Sequence, residues 1–247
     1  MIVPLLLQIH AGAMPVNPSA GPRIENTYTF ASKATPRIEI TTQNGRIIVS
    51  RADGNSVVVK VNRRARTPDA AAALVQNVTQ EGNVVSATGA SPDSCTQNCG
   101  SVDFTVSVPK GATIVARTNN GEIDINDVDG SVDAQSQNGD VLAGGLAGDA
   151  NLRTSNGRVN AGFRDLSRVK TISVMSSNGT VRVVIPRGAK LGHVDAHTDN
   201  GKVYSQLSLG ADESNNHADV HRQLNGTGPS LTMKTSNGDL DITVVEP

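Results

Sequence analysis

From residue 113 onward, apolar and polar positions alternate in short bursts, and each burst begins two residues after an Asn-Gly pair. Gly121 is followed by Ile123 and Ile125, then by a turn at Gly130, then by Val132 and Ala134. Gly157 leads to Val159, Ala161 and Phe163, then to Ile172 and Val174. Gly179 leads to Val181, Val183 and Ile185, then to Val194 and Ala196, and the last copy runs Leu240, Ile242, Val244. A period of two is that of a strand with one buried face, so each repeat predicts two short strands with turn residues between them.

The Asn-Gly pairs are Asn44-Gly45, Asn120-Gly121, Asn138-Gly139, Asn156-Gly157, Asn178-Gly179, Asn200-Gly201 and Asn237-Gly238, and from Gly121 the intervals are 18, 18, 22, 22 and 37 residues. Asn-Gly between strands ordinarily marks a two-residue hairpin. A meander of hairpins, however, would not keep the same face apolar at an 18-residue phase. The phase fits a chain that returns above itself, each strand pairing with its counterpart one repeat later. The expected fold is therefore all-β, a parallel β-solenoid of β-roll or β-helix type, right-handed by the crossover rule for parallel strands. It predicts a structural turn ladder of Asn120, Asn138, Asn156, Asn178 and Asn200 along one edge. Asn237 rejoins the ladder after residues 208–229, rich in Gly, Asn, Ser and Asp, loop out as a surface excursion. Two inward columns are expected: Ile123, Val141, Val159, Val181, Val203 and Leu240, and beside them Ile125, Ala143, Ala161, Val183, Ser205 and Ile242.

The N-terminal part is less regular. Ile38, Ile40, Ile47 and Val49 flank Asn44-Gly45, and Val57, Val59 and Val61 continue the alternation. Thr67-Pro68-Asp69 before an alanine run predicts a capped helix over 68–78, with Thr67 at the N-cap and Pro68 at the first helical position. Residues 80–85 read as a decayed copy of the segment around Asn44-Gly45. The organisation expected is one continuous domain over 23–247: irregular coils over 23–112, including the Cys95–Cys99 loop, then regular coils over 113–247. Residues 1–22 are expected to be disordered or to hold a weak or truncated export signal, since Ile2 to Leu7 is apolar and Ala11-Gly12-Ala13 has the small-x-small form of a cleavage site, although no Lys or Arg precedes Arg23.

Composition narrows the functions. Val, Ile, Ala and Thr suit a narrow interior; there is no Trp, with three Phe and two Tyr. Stacking platforms for nucleic-acid bases need more rings than that. With 22 Lys+Arg against 23 Asp+Glu, no global basic field favours nucleic acid either. No apolar stretch reaches the length of a membrane-spanning helix. The two cysteines, Cys95 and Cys99, form a lone C-x3-C, which is half of what a structural zinc ribbon uses. They read as a possible disulfide at a loop tip if the chain is exported, and otherwise as two reduced thiols.

Pro109-Lys110-Gly111-Ala112-Thr113, Arg117-Thr118-Asn119-Asn120-Gly121-Glu122-Ile123-Asp124-Ile125 and Thr154-Ser155-Asn156-Gly157-Arg158-Val159 resemble the repeats of the bacterial putative-adhesin family. The resemblance covers about residues 36 to 247, including the short helix between early strands. It implies an exported β-strand-repeat domain, periplasmic or at the cell surface, and carries over no catalytic residues.

Candidate chemistry is sparse. Residues 144–152 partly resemble a calcium nonapeptide, but with Ala147 in place of Gly and in a single copy. Residues 124–130 resemble an EF-hand loop with Val128 at a ligand position. These Asp residues are expected to solvate turns. His217 and His221 have zinc-helix spacing with Ala218 where the catalytic Glu would stand, and His193 and His197 lie too far apart on one strand to share an ion. No metal or cofactor is expected. Outward positions after the Asn-Gly pairs are Glu122, Asp140, Arg158, Thr180, Lys202 and Asp239, then Asp124, Leu142, Asn160, Arg182, Tyr204 and Asp241. Their mixed signs, with Asp140 opposite Arg158, suit a solvated sheet face. The expected function is a non-enzymatic, envelope-associated adhesin-like scaffold with an unknown surface protein or glycan as partner. The alternative is a polysaccharide-active β-helix enzyme, a lyase or hydrolase.

Overall fold

In a computed structural model the described residues are all-β apart from one six-residue helix. The structure describes residues 21–32, 35–93, 95, 99–207, 209, 212–214, 217–224 and 226–246. Residues 1–20, which carry the export-signal expectation, lie outside them.

The N-terminal elements are β1 (Arg23–Ala31), β2 (Arg37–Asn44), β3 (Ile47–Arg51), β4 (Ser56–Arg64), α1 (Pro68–Ala73), β5 (Val75–Glu81), β6 (Val84–Ala90) and β7 (Ser101–Val108). The regular part follows as β8 (Thr113–Asn120), β9 (Ile123–Asn126), β10 (Val132–Asn138), β11 (Val141–Leu146), β12 (Ala150–Asn156), β13 (Val159–Phe163), β14 (Thr171–Asn178), β15 (Val181–Pro186), β16 (His193–Asn200) and β17 (Val203–Ser205). The chain ends with β18 (Asp212–Ser214), β19 (His217–Gln223), β20 (Ser230–Asn237) and β21 (Leu240–Val245). They form two open, mostly parallel sheets. The first runs β1-β4-β7-β3-β9-β11-β13-β15-β21-β17 and the second β18-β19-β16-β20-β14-β12-β10-β8-β2-β6-β5. At each Asn-Gly corner the chain leaves the second sheet and enters the first.

One hydrophobic cluster lies between the sheets. In the first sheet Ile47, Ile123, Val141, Val159, Val181, Leu240 and Val203 pair in register and are buried. Ile125, Ala143, Ala161, Val183 and Ile242 form the neighbouring buried column, which ends at the half-buried Ser205. The second sheet answers with Ile38, Ile114, Val132, Ala150, Ile172, Leu231 and Val194. Each fully buried Val or Ile contributes about 1.5–3 kcal/mol, which is what fixes the register.

The strand order departs from a simple progressive stack at both ends. β8, β10, β12 and β14 follow one another in space as in sequence. Then β20 pairs with β14 on one side and β16 on the other, so the last repeat is inserted inside the one before it. Asn200 therefore neighbours Asn237 and not Asn178. The cause is visible at the outer edge of β16, which β19 occupies by antiparallel pairing from His193↔Gln223 to Thr198↔Ala218. The described part of 208–229 is thus no simple surface loop, because β18 and β19 extend the second sheet. At the other end β2 sits between β6 and β8, and β3 between β7 and β9.

Two further expectations need correcting. Thr67 Oγ1 accepts from the Ala70 amide at 3.2 Å and caps the helix, but the helix ends at Ala73 instead of 78. From Val75 the β-branched Val75, Val78 and Thr79 belong to β5, whose antiparallel ladder with β6 outweighs helix continuation. Residues 80–85 are likewise no copy of the Asn44 corner. Gly82 and Asn83 form the β5–β6 turn, with Gly82 at φ +59°, and Val84 stands opposite Arg37, at the far end of β2 from Asn44. Antiparallel strands cover one end of the first sheet, through β4 and β1, and both ends of the second, through β5 and the β18–β19 pair.

Candidate functional site on the outer face of the second sheet

The Asn-Gly corners are held by side chains acting across strands. Asn120 Nδ2 donates to Asn44 Oδ1 at 2.7 Å, Asn138 to Asn120 at 2.9 Å, Asn156 to Asn138 at 2.9 Å and Asn178 to Asn156 at 3.0 Å. Asn237 then donates to Asn178 at 2.8 Å and Asn200 to Asn237 at 3.0 Å, which makes one continuous amide ladder. Two residues before each Asn, a buried hydroxyl forms a second ladder. Ser136, Thr154, Ser176, Thr235 and Thr198 donate to the carbonyls of Gly121, Gly139, Gly157, Gly179 and Gly238 at 2.8–3.0 Å. The glycines are required by close approach, since a Cβ on Gly139 would collide with the Gly121 carbonyl and one on Gly157 with that of Gly139.

The outer face of the first sheet is charged and internally neutralised. Arg46 reaches Glu122 at 2.6 Å and Asp124 at 3.3 Å, Arg158 reaches Asp140 at 2.6 Å, and Arg182 reaches Asp241 at 2.8 Å. Burial pushes the Asp140 carboxyl up, but the amide and guanidinium of Arg158 outweigh it and leave Asp140 below the usual carboxylate range. The acids of the calcium-like segments are also engaged. Asn126 donates to Asp124 at 2.7 Å, and Asp149 accepts from the amides of Lys170 and Thr171. Asp129 is buried beneath Arg164, Arg168 and Arg51; Arg168 lies 3.7 Å from it, and Arg51 lies 3.6 Å from its Oδ2, beyond hydrogen-bond reach. Among the described residues no group of three or more His, Cys, Asp or Glu converges to hold a metal ion. Cys95 and Cys99 are joined by a disulfide, with Cα atoms 5.6 Å apart.

His193, His197 and His221 gather on the second sheet. Because β19 lies antiparallel to β16, His221 stands opposite Asp195 and Asp219 opposite His197. His221 Nδ1 bonds Asp195 and its Nε2 lies 3.1 Å from Asp219; His193 lies 3.1 Å from Asp195, and His197 3.1 Å from Asp199. Hydrogen bonding to Asp195 and the charge of Asp219 hold His221 above the usual imidazole range. Burial raises Asp195, but the hydrogen bonds of His221 and His193 carry it below the carboxylate range.

Alongside, a shallow trough of ≈ 340 Å³ crosses β10, β12, β14, β20 and β16. Its wall is the row three residues before each Asn: Gln135, Arg153, Met175, Lys234 and His197. Its floor is the row one residue before each Asn, the exposed hydroxyls Ser155, Ser177 and Ser236, ending at Asp199. Arg153 Nε donates to the neutral Asn151 at 3.1 Å. Neither Arg153 nor Lys234 forms an ion pair among the described residues. The outward charged rows read from the sequence follow the Asn-Gly pairs and lead into the first sheet, and of the trough residues only His197 carries an expectation from the sequence. The column that precedes each Asn by three would have revealed this face.

No protein-family model and no curated protein sequence matches the chain. Solved structures do. A putative cell adhesion protein from Clostridium sporogenes ATCC 15579 matches with a TM-score of 0.51 at 12% identity, over 91% of this chain and 100% of that one. A putative adhesin from Bacteroides fragilis NCTC 9343 matches with a TM-score of 0.44 at 13% identity, over 88% and 96%. One from Parabacteroides distasonis ATCC 8503 has a TM-score of 0.31 at 10% identity, over 90% and 97%. The fold neighbours thus carry the name of the family that the repeats resemble.

Proposed function

We propose that this protein is a non-enzymatic, envelope-associated scaffold of adhesin type, exported to the periplasm or cell surface, that engages a surface protein or glycan. In this reading residues 23–247 form one continuous domain, a right-handed β-solenoid whose end repeats are tucked inside their neighbours. The observation that carries it is the pairing on the outer faces. Arg46, Arg158, Arg182 and Arg117 are each bound to a carboxylate across a strand boundary, so those charges stiffen a flat surface instead of converging on a reacting atom. The fold likeness to the cell adhesion protein of Clostridium sporogenes supports the same role, and the Cys95–Cys99 disulfide supports an oxidising compartment. Among the described residues no helix is long and apolar enough to cross a membrane.

A polysaccharide-active enzyme is the competing reading, favoured by His197 and Asp199 lining the trough. The test is a glycan, peptidoglycan and surface-protein array run beside hydrolase and lyase screens on the same ligands. Binding without turnover is expected. Release of reducing ends or unsaturated sugars from any bound polymer would overturn the scaffold reading.

A further inference from the structure

We propose that the trough on the second sheet binds an extended acidic polysaccharide carrying one carboxylate or sulfate on every second sugar. The inference rests on the scaffold reading above and names its ligand class.

Three features of the trough point to this occupant. The first is charge. Arg153 on β12 and Lys234 on β20 lack carboxylate partners among the described residues, whereas Arg117 on the same face is held by Asp133 at 2.5 Å. The acids at the trough end, Asp199, Asp195 and Asp219, are engaged by His197, His193 and His221. The trough therefore offers two uncompensated cations to an anionic partner. The second is spacing. Only β14 separates β12 from β20, so the two cations recur at two strand spacings, about 9.5 Å, which matches the length of a disaccharide. An extended acidic peptide presents same-face side chains about 6.7 Å apart and falls out of step with that pair. A nucleic-acid strand would lack the aromatic platforms on which its bases stack.

The third is the surface between the cations. Met175 stands half-buried between Arg153 and Lys234 and offers a thioether to the apolar face of a sugar ring. Ser155, Ser177 and Ser236 follow one per strand along the floor, each hydroxyl able both to donate to and accept from sugar hydroxyls. Their small side chains let a chain lie close to the sheet. The trough runs across the strands, so a linear polymer meets one wall side chain and one floor side chain on each of β12, β14, β20 and β16.

The test uses the full chain and hyaluronan oligosaccharides, which carry one carboxylate per disaccharide, measured by calorimetry at low salt. Carboxyl-reduced hyaluronan is the neutral control and poly-glutamate the acidic-peptide control. The expected result is binding of the acidic sugar alone, weakened by added salt. Exchanging both cations (Arg153→Gln with Lys234→Gln) should weaken it at least tenfold, and Ser177→Tyr, which fills the floor, should do the same. Arg158→Gln on the first sheet should leave it unchanged. A thermal melt of each variant, expected to match that of the parent chain, separates loss of binding from loss of fold. Equal binding of poly-glutamate or of reduced hyaluronan, absence of binding to the acidic oligosaccharides, or indifference to both trough variants would each overturn the proposal. The scaffold reading fails separately, by turnover in the activity screen.

Discussion

Asn237 donates its side-chain amide to Asn178 Oδ1 at 2.8 Å across 59 residues of chain, and so occupies the place that the repeat phase would assign to Asn200. Asn200 donates in turn to Asn237 at 3.0 Å. Asn237→Asp should lower stability by about 1 kcal/mol, since the carboxylate still accepts from Asn200 but faces Asn178 Oδ1 without a proton to give. Urea unfolding of the two proteins side by side measures it, and no change in midpoint would remove the ladder from the stabilising interactions.

Gly139→Ala should cost about 3 kcal/mol or more, because the new methyl meets a neighbouring backbone carbonyl that has nowhere to move. Gly144→Ala is the control. A Cβ there would meet the Asn126 side-chain oxygen at 3.4 Å, an ordinary contact, and the midpoint should shift little.

Asp129→Ala should destabilise by about 2–4 kcal/mol, with Arg164, which is 35% exposed, left without its buried counter-charge. Solvent reaches Arg51 and Arg168 more freely, which keeps the loss below that of a fully enclosed pair. Thermal unfolding reads the effect.

Attachment of β19 to β16 should depend on pH in both directions. The pKa of His221 is raised in the folded state, so its contribution is complete below the ordinary imidazole range and is lost as pH climbs through the raised value. The pKa of Asp195 is lowered, so its contribution is present above the ordinary carboxylate range and is lost as pH falls through the lowered value. Protection of the Val220 amide, its exchange rate compared with the intrinsic rate at the same pH, should therefore be greatest in mildly acidic solution, between those two ranges. A His221→Gln variant should lose the alkaline arm of the profile.

The alternation of Ile123, Ile125, Val159 and Ala161 and the Asn-Gly phase were legible in the sequence because burial and corner geometry are local properties that every repeat expresses alike. The same likeness hid the order of the strands. Asn178, Asn200 and Asn237 sit in equivalent contexts, and the choice among them is made by β19, whose claim on the outer edge of β16 is a long-range event. The end of α1 was misread because an alanine run extends any helical pattern until a competing ladder, here β5 with β6, is known. The trough escaped notice for a simpler reason. Its residues precede each Asn-Gly pair, and Gln135, Arg153, Met175, Lys234 and His197 share no side-chain type that would align them without the register.

Arrays whose repeats stack in chain order can fray from either end, one unit at a time. Here β20 and β21 lie inboard of β16 and β17, and β2 and β3 lie inboard of β6 and β7. Residues 193–205 cannot reach their final neighbours until residues 230–245 have taken the slot between, so a chain emerging from its N-terminus must wait for β20 and β21 before β16 and β17 can close on the sheets. Once closed, residues 230–245 cannot peel away without first displacing β16 and β17, which lie outside them, and that end of the open sheets gains a resistance to unzipping that its hydrogen bonds alone would not confer.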